Sequence, residues 1–312
     1  MNLIFLVKMK SPVIVIFLGL VFLSCNQSKN QSSKHTDTEP MQAEMLSENN
    51  IFNEGVIDVE IDFPGNQLSD LLKKIDPAKG NIEQQLMSLT ETLSPEEQQK
   101  INDVTKNNPF VAMQVMLAPL HSTIYVKEHI ATAKCDGLSY HLENTVNASL
   151  NTGKAYVASR ANPSNTVTIN YDEDFFGKSQ LQTKIDTESY TRQETNETKL
   201  IAGYKCKKSI YTSKTSSPMH VAKLEVWTSE QMPKSLNFIH PYYLEEKNGI
   251  MKIDLFANGI EGVAMVYTFK TVSPKKLSDS ELDIVQTSPV YDAKTDLQKI
   301  AGKLMGIMFG GN

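Results

Sequence analysis

Histidine and cysteine side chains are the first candidates for chemistry in this sequence. The chain has six histidines: His35, His121, His129, His141, His220 and His240. No two of them are spaced i, i+4 around a glutamate, so the zinc-protease motif is absent. The sequence also lacks a Gly-x-Ser-x-Gly elbow, a phosphate-binding loop, a dinucleotide-binding glycine fingerprint and a Cys-x-x-Cys pair. We therefore expect neither an enzyme nor a bound cofactor.

One group of residues has the composition of a metal site. His121 and His129 flank a predicted strand together with Glu128, and imidazole with a carboxylate suits a zinc ion. The simpler interpretation is a polar strand face. We therefore expect no metal.

Cys135 and Cys206 are the two cysteines in the part of the chain that is expected to fold. Cys206 stands among Lys205, Lys207 and Lys208, and neighbouring cations lower the pKa of a thiol. The alternation of the strand places Cys206 on the face opposite these lysines, which favours a structural role. Cys135 and Cys206 form a candidate disulfide in an oxidising compartment. Two buried thiols are the alternative.

The N-terminus has the pattern of a lipoprotein signal. Lys8 and Lys10 precede an apolar run from Val13 to Leu23, and Ser24-Cys25 follows at once. The run is about half of the ~20 residues that cross a bilayer. Its end resembles the lipobox of bacterial lipoproteins, which predicts a signal peptide over 1–24 and a lipid on Cys25. An ordinary secretory signal is the alternative.

The segment 25–50 is expected to be the lipidated cysteine and a flexible tether, because it is polar and has no aromatic residue to build a core. The predicted location is the cell envelope, on the periplasmic side or the cell surface of a bacterial membrane. The formal charge of -5 argues against a nucleic-acid partner.

The hydrophobic pattern of 51–312 changes period along the chain. Ile57, Val59, Ile61 and Phe63 alternate with acidic residues, which predicts a strand. Apolar stripes from Leu68 to Leu120 predict three or four amphipathic helices, one of them starting at Ser94-Pro-Glu-Glu97. Eight short β-rich segments with turn residues between them predict strands at 123–126, 138–142, 154–157, 166–171, 204–211, 222–227, 249–256 and 264–269. Leu297, Ile300, Ala301 and Leu304 predict a last helix.

This order predicts a single α+β domain over 51–312. The strands are spaced as in an antiparallel meander, and so large a sheet curls into a half-barrel. The strands offer only one apolar face on which the helices can be buried. We therefore expect the helices to cover the concave side of the sheet. The densest apolar turn of the helical segment should lie innermost and line any apolar ligand pocket: Phe110, Met113, Met116 and Leu117.

A family resemblance rests on one stretch of the second half. Asn196–Lys208, which reads N-E-T-K-L-I-A-G-Y-K-C-K-K, is followed by Val226-Trp-Thr and Met232-Pro233. This arrangement resembles that of GLPGLI-type proteins and of related periplasmic domains with the LolA-like fold. Gly249–Leu255 stands where the glycine-rich loop of the GLPGLI family belongs. The resemblance implies a half-barrel closed by helices, and acyl chains bind inside lipoprotein carriers of that fold.

Two functions follow from these expectations. In the first, the membrane-anchored domain binds a lipid or another apolar molecule between its sheet and its helices. In the second, it is a structural or protein-interaction module of the cell envelope with a filled core. The volume of the interior distinguishes them, since a carrier needs an apolar void of several hundred Å³.

Overall fold

A computed structural model describes residues 51–107, 109–172, 184–185, 189–215, 221–239, 243–244, 246–257 and 260–309. The predicted signal peptide, Cys25 and the tether therefore lie outside the described residues. No helix in the described ranges is both long and apolar enough to span a bilayer.

The described strands form a large, curved, unclosed sheet, as the sequence predicts. The first strand, β1, is Glu54–Asp62. The next five are β2 His121–Lys127, β3 Ile130–Asp136, β4 Tyr140–Asn147, β5 Thr152–Ser159 and β6 Thr166–Asp172. The second series is β8 Tyr190–Ile201, β9 Tyr204–Ser213, β10 Val221–Ser229, β12 Gly249–Ala257 and β13 Met265–Pro274, and a short β14 spans Val290–Asp292. Two-residue strands β7 (Lys184–Ile185) and β11 (Tyr243–Leu244) pair separately.

β1 joins two antiparallel meanders into one sheet. The strand order is β14-β6-β5-β4-β3-β2-β1-β13-β12-β10-β9-β8. β1 pairs with β2 on one side and with β13 on the other, antiparallel in both cases. Ile57 and Val59 are buried on one face, whereas Asp58 and Glu60 are partly exposed on the other. The predicted half-buried strand is therefore confirmed.

Four α-helices occupy the described residues between β1 and β2, in agreement with the sequence. They are α1 Gln67–Leu72, α2 Ile82–Glu91, α3 Pro95–Asn107 and α4 Pro109–Leu117. The predicted start of α3 is confirmed, because the Glu97 amide donates to Ser94 Oγ at 3.3 Å and the Ser94 amide donates to Glu97 Oε2 at 2.8 Å. Among the residues of α2 only Ile82 is buried.

The chain after β13 crosses the sheet from the middle to one edge. A single-turn helix, α5 (Asp279–Leu282), contacts β2 and β3. Further on, Thr132 Oγ1 donates to the carbonyl of Leu282 at 2.9 Å, and the Val285 amide donates to Glu143 Oε2 at 2.6 Å. The segment ends in β14, parallel to β6. The last helix, α6 (Leu297–Phe309), packs on β5 and β6.

One contiguous apolar core joins strands and helices. From the helical side it contains Leu72, Ile75, Val111, Val115, Leu117, Ile300, Leu304 and Ile307. Tyr140 of β4 lies completely buried among them, and its hydroxyl donates to the carbonyl of Leu117 at 2.6 Å. The end of α4 is therefore fixed directly to the sheet.

Candidate functional site

The structure places the four predicted pocket residues differently from one another. Leu117 is 3% exposed and belongs to the core, and Met113 is half-buried against it. Met116, at 38% exposed, is a surface residue, so the expectation that it lies innermost is wrong. The buried face of α4 is instead formed by Val111, Ala112 and Val115 with Leu117. The side chain of Phe110 lies outside the described residues.

The candidate disulfide between Cys135 and Cys206 is not formed. Cys206 is a buried, free cysteine whose Sγ lies 3.4 Å from Met251 Sδ. Cys135 is buried in β3, and β2, β1, β13, β12 and β10 separate β3 from β9 in the sheet. Burial raises the pKa of Cys206 to about 12. The thiol is therefore protonated at neutral pH and packs as a small apolar group.

Two clefts with mixed polar and apolar linings open on the surface. The first, of about 550 Å³, is lined by Asn53, Glu54, Lys127, Glu128, Lys276 and Leu277. The second, of about 480 Å³, lies at one end of β3 to β6 and includes Asn147, Thr152, Lys154, Asp172 and Lys294. Neither cleft is lined by Met113, Met116 or Leu117. In the described part of the chain, no three His, Cys, Asp or Glu side chains form a group that could hold a metal ion.

A histidine between two carboxylates ties β3 to β4. His141 Nδ1 lies 3.0 Å from Asp136 Oδ1, and His141 Nε2 lies 3.3 Å from Glu143 Oε1. Hydrogen bonds to Asp136 and then to Glu143 raise the pKa of His141 to about 9. Burial acts to raise the pKa of Asp136, but the bonds and charges of His141 and Arg160 outweigh it and lower that pKa. His141 is thus a charged structural link at neutral pH and not a general base.

This link predicts a stability that depends on pH. The folded-state pKa of His141 lies above the ordinary value of 6.5, so its contribution is complete below about pH 6.5 and is lost as pH rises through about 9. The side chain is 35% exposed, and solvent screening reduces the contribution to roughly 1–2 kcal/mol. Urea unfolding should show His141→Gln less stable than wild type at pH 6.5 and nearly equal at pH 10. The exposed His129→Gln is the control, and a gap between wild type and His141→Gln that is constant with pH would contradict the assignment.

An ion pair between Arg192 and the buried carboxylate of Glu246 fixes the loop after β11 to β8 and β9. Arg192 donates from Nε and Nη2 to the two carboxylate oxygens of Glu246, both at 3.0 Å. The Tyr211 hydroxyl donates to Glu246 Oε1 at 2.6 Å, and Arg192 Nη2 also reaches Ser209 Oγ. The Glu246 side chain is 4% exposed. Such a fully bonded bidentate pair holds a loop in one position.

Three lysines of the second meander surround the chain's single tryptophan. Lys208, Trp227 and Lys252 are direct neighbours in β9, β10 and β12. Lys199 of β8 places its Nζ 3.9 Å from the centre of the Trp227 ring, and Lys208 Nζ lies 5.5 Å from it. We call these four residues the Trp227 row.

Three residues of the Trp227 row belong to the sequence motif described above, Asn196–Lys208 followed by Val226-Trp-Thr. Lys199, Lys208 and Trp227 are in that motif, and Lys252 is in the segment that follows it. The two-residue turn Ala202-Gly203, with φ of 46° and 86°, sets the pairing of β8 with β9. Spacing alone links only Lys208 of this row to Cys206, and the prediction that the two lie on opposite faces is wrong, because both are buried two residues apart on the same face of β9. The cross-strand pairing that joins Lys199, Lys208 and Lys252 to Trp227 is not readable from spacing.

Comparison with known proteins gives no family. No family model matches the chain, and no curated protein is similar to it. Among solved structures, PNGF-II in one crystal form is 18% identical over 59% of this chain and 30% of its own, with a TM-score of 0.36. An uncharacterised conserved protein from Thermus thermophilus is 6% identical over 55% of this chain and 79% of its own, with a TM-score of 0.31. The chain thus spans less than a third of PNGF-II.

Proposed function

We propose that this chain is a lipid-anchored protein of the bacterial cell envelope that acts as an interaction module through its outer surface. The observation that carries the proposal is the filled interior. Side chains of α1, α4 and α6 pack with those of the sheet into one core. In this arrangement the helices cover the concave side of the half-barrel. Recognition then belongs to the surface, where the polar clefts and the charged rows lie.

The packing at the end of α4 supports this assignment most directly. Val115 and Leu117 are 2% and 3% exposed, and Ile124, Val126 and Leu142 of the sheet are at most 1% exposed. Interiors packed to this degree resemble those of ordinary domains, whose side chains leave few voids larger than a water molecule. A module with such a core needs no ligand to complete it.

The anchor of the proposed module is Cys25. We expect that Cys25→Ser moves the protein out of the membrane fraction or blocks its processing, because the lipid is attached through the cysteine sulfur. The measurement is fractionation with immunoblotting. A Ser24→Ala variant, which keeps a small residue before the cysteine, is the matched control. Normal processing and full membrane retention of Cys25→Ser would contradict the anchor.

A separate experiment tests the filled interior. The chain produced from Asn26 onward, without Cys25, is expected to show in native mass spectrometry only its own mass. A co-purifying lipid of defined mass that leaves on denaturation would instead support the carrier.

The carrier is the second candidate, and the exposed methionines favour it. Met87 on α2 is 57% exposed and Met116 on α4 is 38% exposed, and methionine is adaptable at apolar binding surfaces. Because α2 buries only Ile82, this helix is the part of the layer that would move most easily. If the carrier is correct, Met116→Gln lowers the amount of bound lipid and leaves the melting temperature nearly unchanged.

A further inference from the structure

The Trp227 row contains one lysine whose charge is not balanced. Lys252 Nζ lies 2.6 Å from Asp254 Oδ1, and Lys208 Nζ lies 2.6 Å from Glu197 Oε1 and 3.6 Å from Glu225 Oε2. Lys199 makes no ion pair with any described residue and rests on the indole ring instead. Glu225 also pairs with Lys223, whose Nζ lies 2.7 Å from Glu225 Oε1, so four lysines share three carboxylates in a confined place.

Two further observations favour an anionic ligand at the Trp227 row. Trp227 is 6% exposed, yet its indole Nε1 has no hydrogen-bond partner among the residues that the structure describes, and a buried donor without a partner is unfavourable. Lys199 also lies close enough to Lys252 for the two ammonium groups to repel. Burial and then Lys252 lower the pKa of Lys199 to about 8. An anion between the two lysines would remove this repulsion.

We propose that Lys199, over the indole of Trp227, and Lys252, the cross-strand neighbour of Trp227, bind a phosphate group. Phosphate is favoured over a carboxylate because its several acceptor oxygens can bond both neighbouring ammonium groups at once. Lysine commonly binds phosphate as a point charge. The phosphate belongs either to a free ion or to a lipid head group. This site is independent of the interior and of the anchor on Cys25.

The single tryptophan of the chain reports on the site directly. Titration of the full-length protein with inorganic phosphate is expected to change Trp227 fluorescence saturably, whereas chloride at equal ionic strength does not. In a second arm, the protein is placed in phosphatidylcholine vesicles with or without phosphatidic acid, and the same fluorescence is read. A response to inorganic phosphate identifies the free ion, and a response only to phosphatidic acid identifies a head group.

Variants separate this site from general charge effects. Lys199→Met is expected to bind about tenfold more weakly, which is the effect of one lost charge contact, and Lys199→Arg should retain binding. Lys205→Met is the matched control, because Lys205 is an exposed lysine on the opposite face of β9. Circular dichroism and thermal unfolding verify that each variant is folded.

The pH dependence gives a separate readout. The groups that face Lys199 are Lys252, Asp254, Lys208 and Cys206, and the pKa of Lys199 is about 8. The affinity should therefore fall between pH 7 and pH 9.5 as Lys199 loses its proton, and Lys199→Arg should abolish this fall. The proposal is overturned if neither phosphate nor phosphatidic acid changes the fluorescence, or if Lys199→Met responds like wild type.

Discussion

Val115→Asp is expected to abolish folding of the domain or to lower its free energy of unfolding by about 4 kcal/mol or more. Val115 is 2% exposed in the core face of α4, so an aspartate there is either an unpaired buried charge or forces the helix away from the sheet. The measurement is soluble yield, followed by thermal and urea unfolding of whatever folds.

The adjacent residue supplies the control. Met116→Glu changes a side chain that is 38% exposed, and we expect a loss below about 1 kcal/mol, as for ordinary surface substitutions. Equal effects at the two positions, or a larger one at Met116, would mean that α4 presents a different face to the sheet. The two variants also distinguish the two proposed functions. A filled core does not tolerate a charge at Val115, whereas an interior that opens to admit a ligand does.

Glu246→Ala should destabilise the protein by about 2 kcal/mol, because it removes a carboxylate that is 4% exposed and to which Arg192 donates twice. The hydroxyl of Tyr211 loses its acceptor at the same time. Urea unfolding at pH 7 measures the effect. Glu246→Gln keeps the shape and part of the bonding and should lie between Ala and wild type.

Glu230→Ala is the matched comparison for Glu246. Glu230 pairs with Lys207 at 2.7 Å, but both side chains are about two thirds exposed, 67% and 64%. Exposed pairs contribute roughly 0–1 kcal/mol, so a change of about 0.5 kcal/mol or less is expected. Similar losses in Glu230→Ala and Glu246→Ala would show that the loop is not held by the buried pair.

The regular alternation of apolar and polar residues predicted most of the sheet, and its exceptions explain the strands that were missed. β8 has almost no apolar alternation, because as an edge strand it exposes most of its residues. β3 contains Ala131, Ala133 and Cys135 at its buried positions, and these residues have little intrinsic preference for strands. Its neighbours β2 and β4 determine its conformation through pairing.

The candidate site was harder to predict than the fold. In α4 apolar residues occur on every side of the helix, so periodicity could not distinguish the buried Val115 from the exposed Met116. The Trp227 row depends on pairing between β8, β9, β10 and β12, and its members are up to 53 residues apart in sequence, from Lys199 to Lys252. Register between distant strands is decided by turns and packing, which no local spacing encodes.

The position of β1 has a consequence for how the protein reaches its folded state. β1 is the first strand of the described chain, but one of its partners, β13, begins only at Met265. The meander β2 to β6 consists of neighbours in sequence and can assemble early, whereas closing the β1–β13 contact requires a loop of about two hundred residues and is intrinsically slow. We expect the two halves of the sheet to remain separate until β13 is present and can pair with β1. A chain that is exported unfolded would therefore complete its sheet only when almost all of it has crossed the membrane.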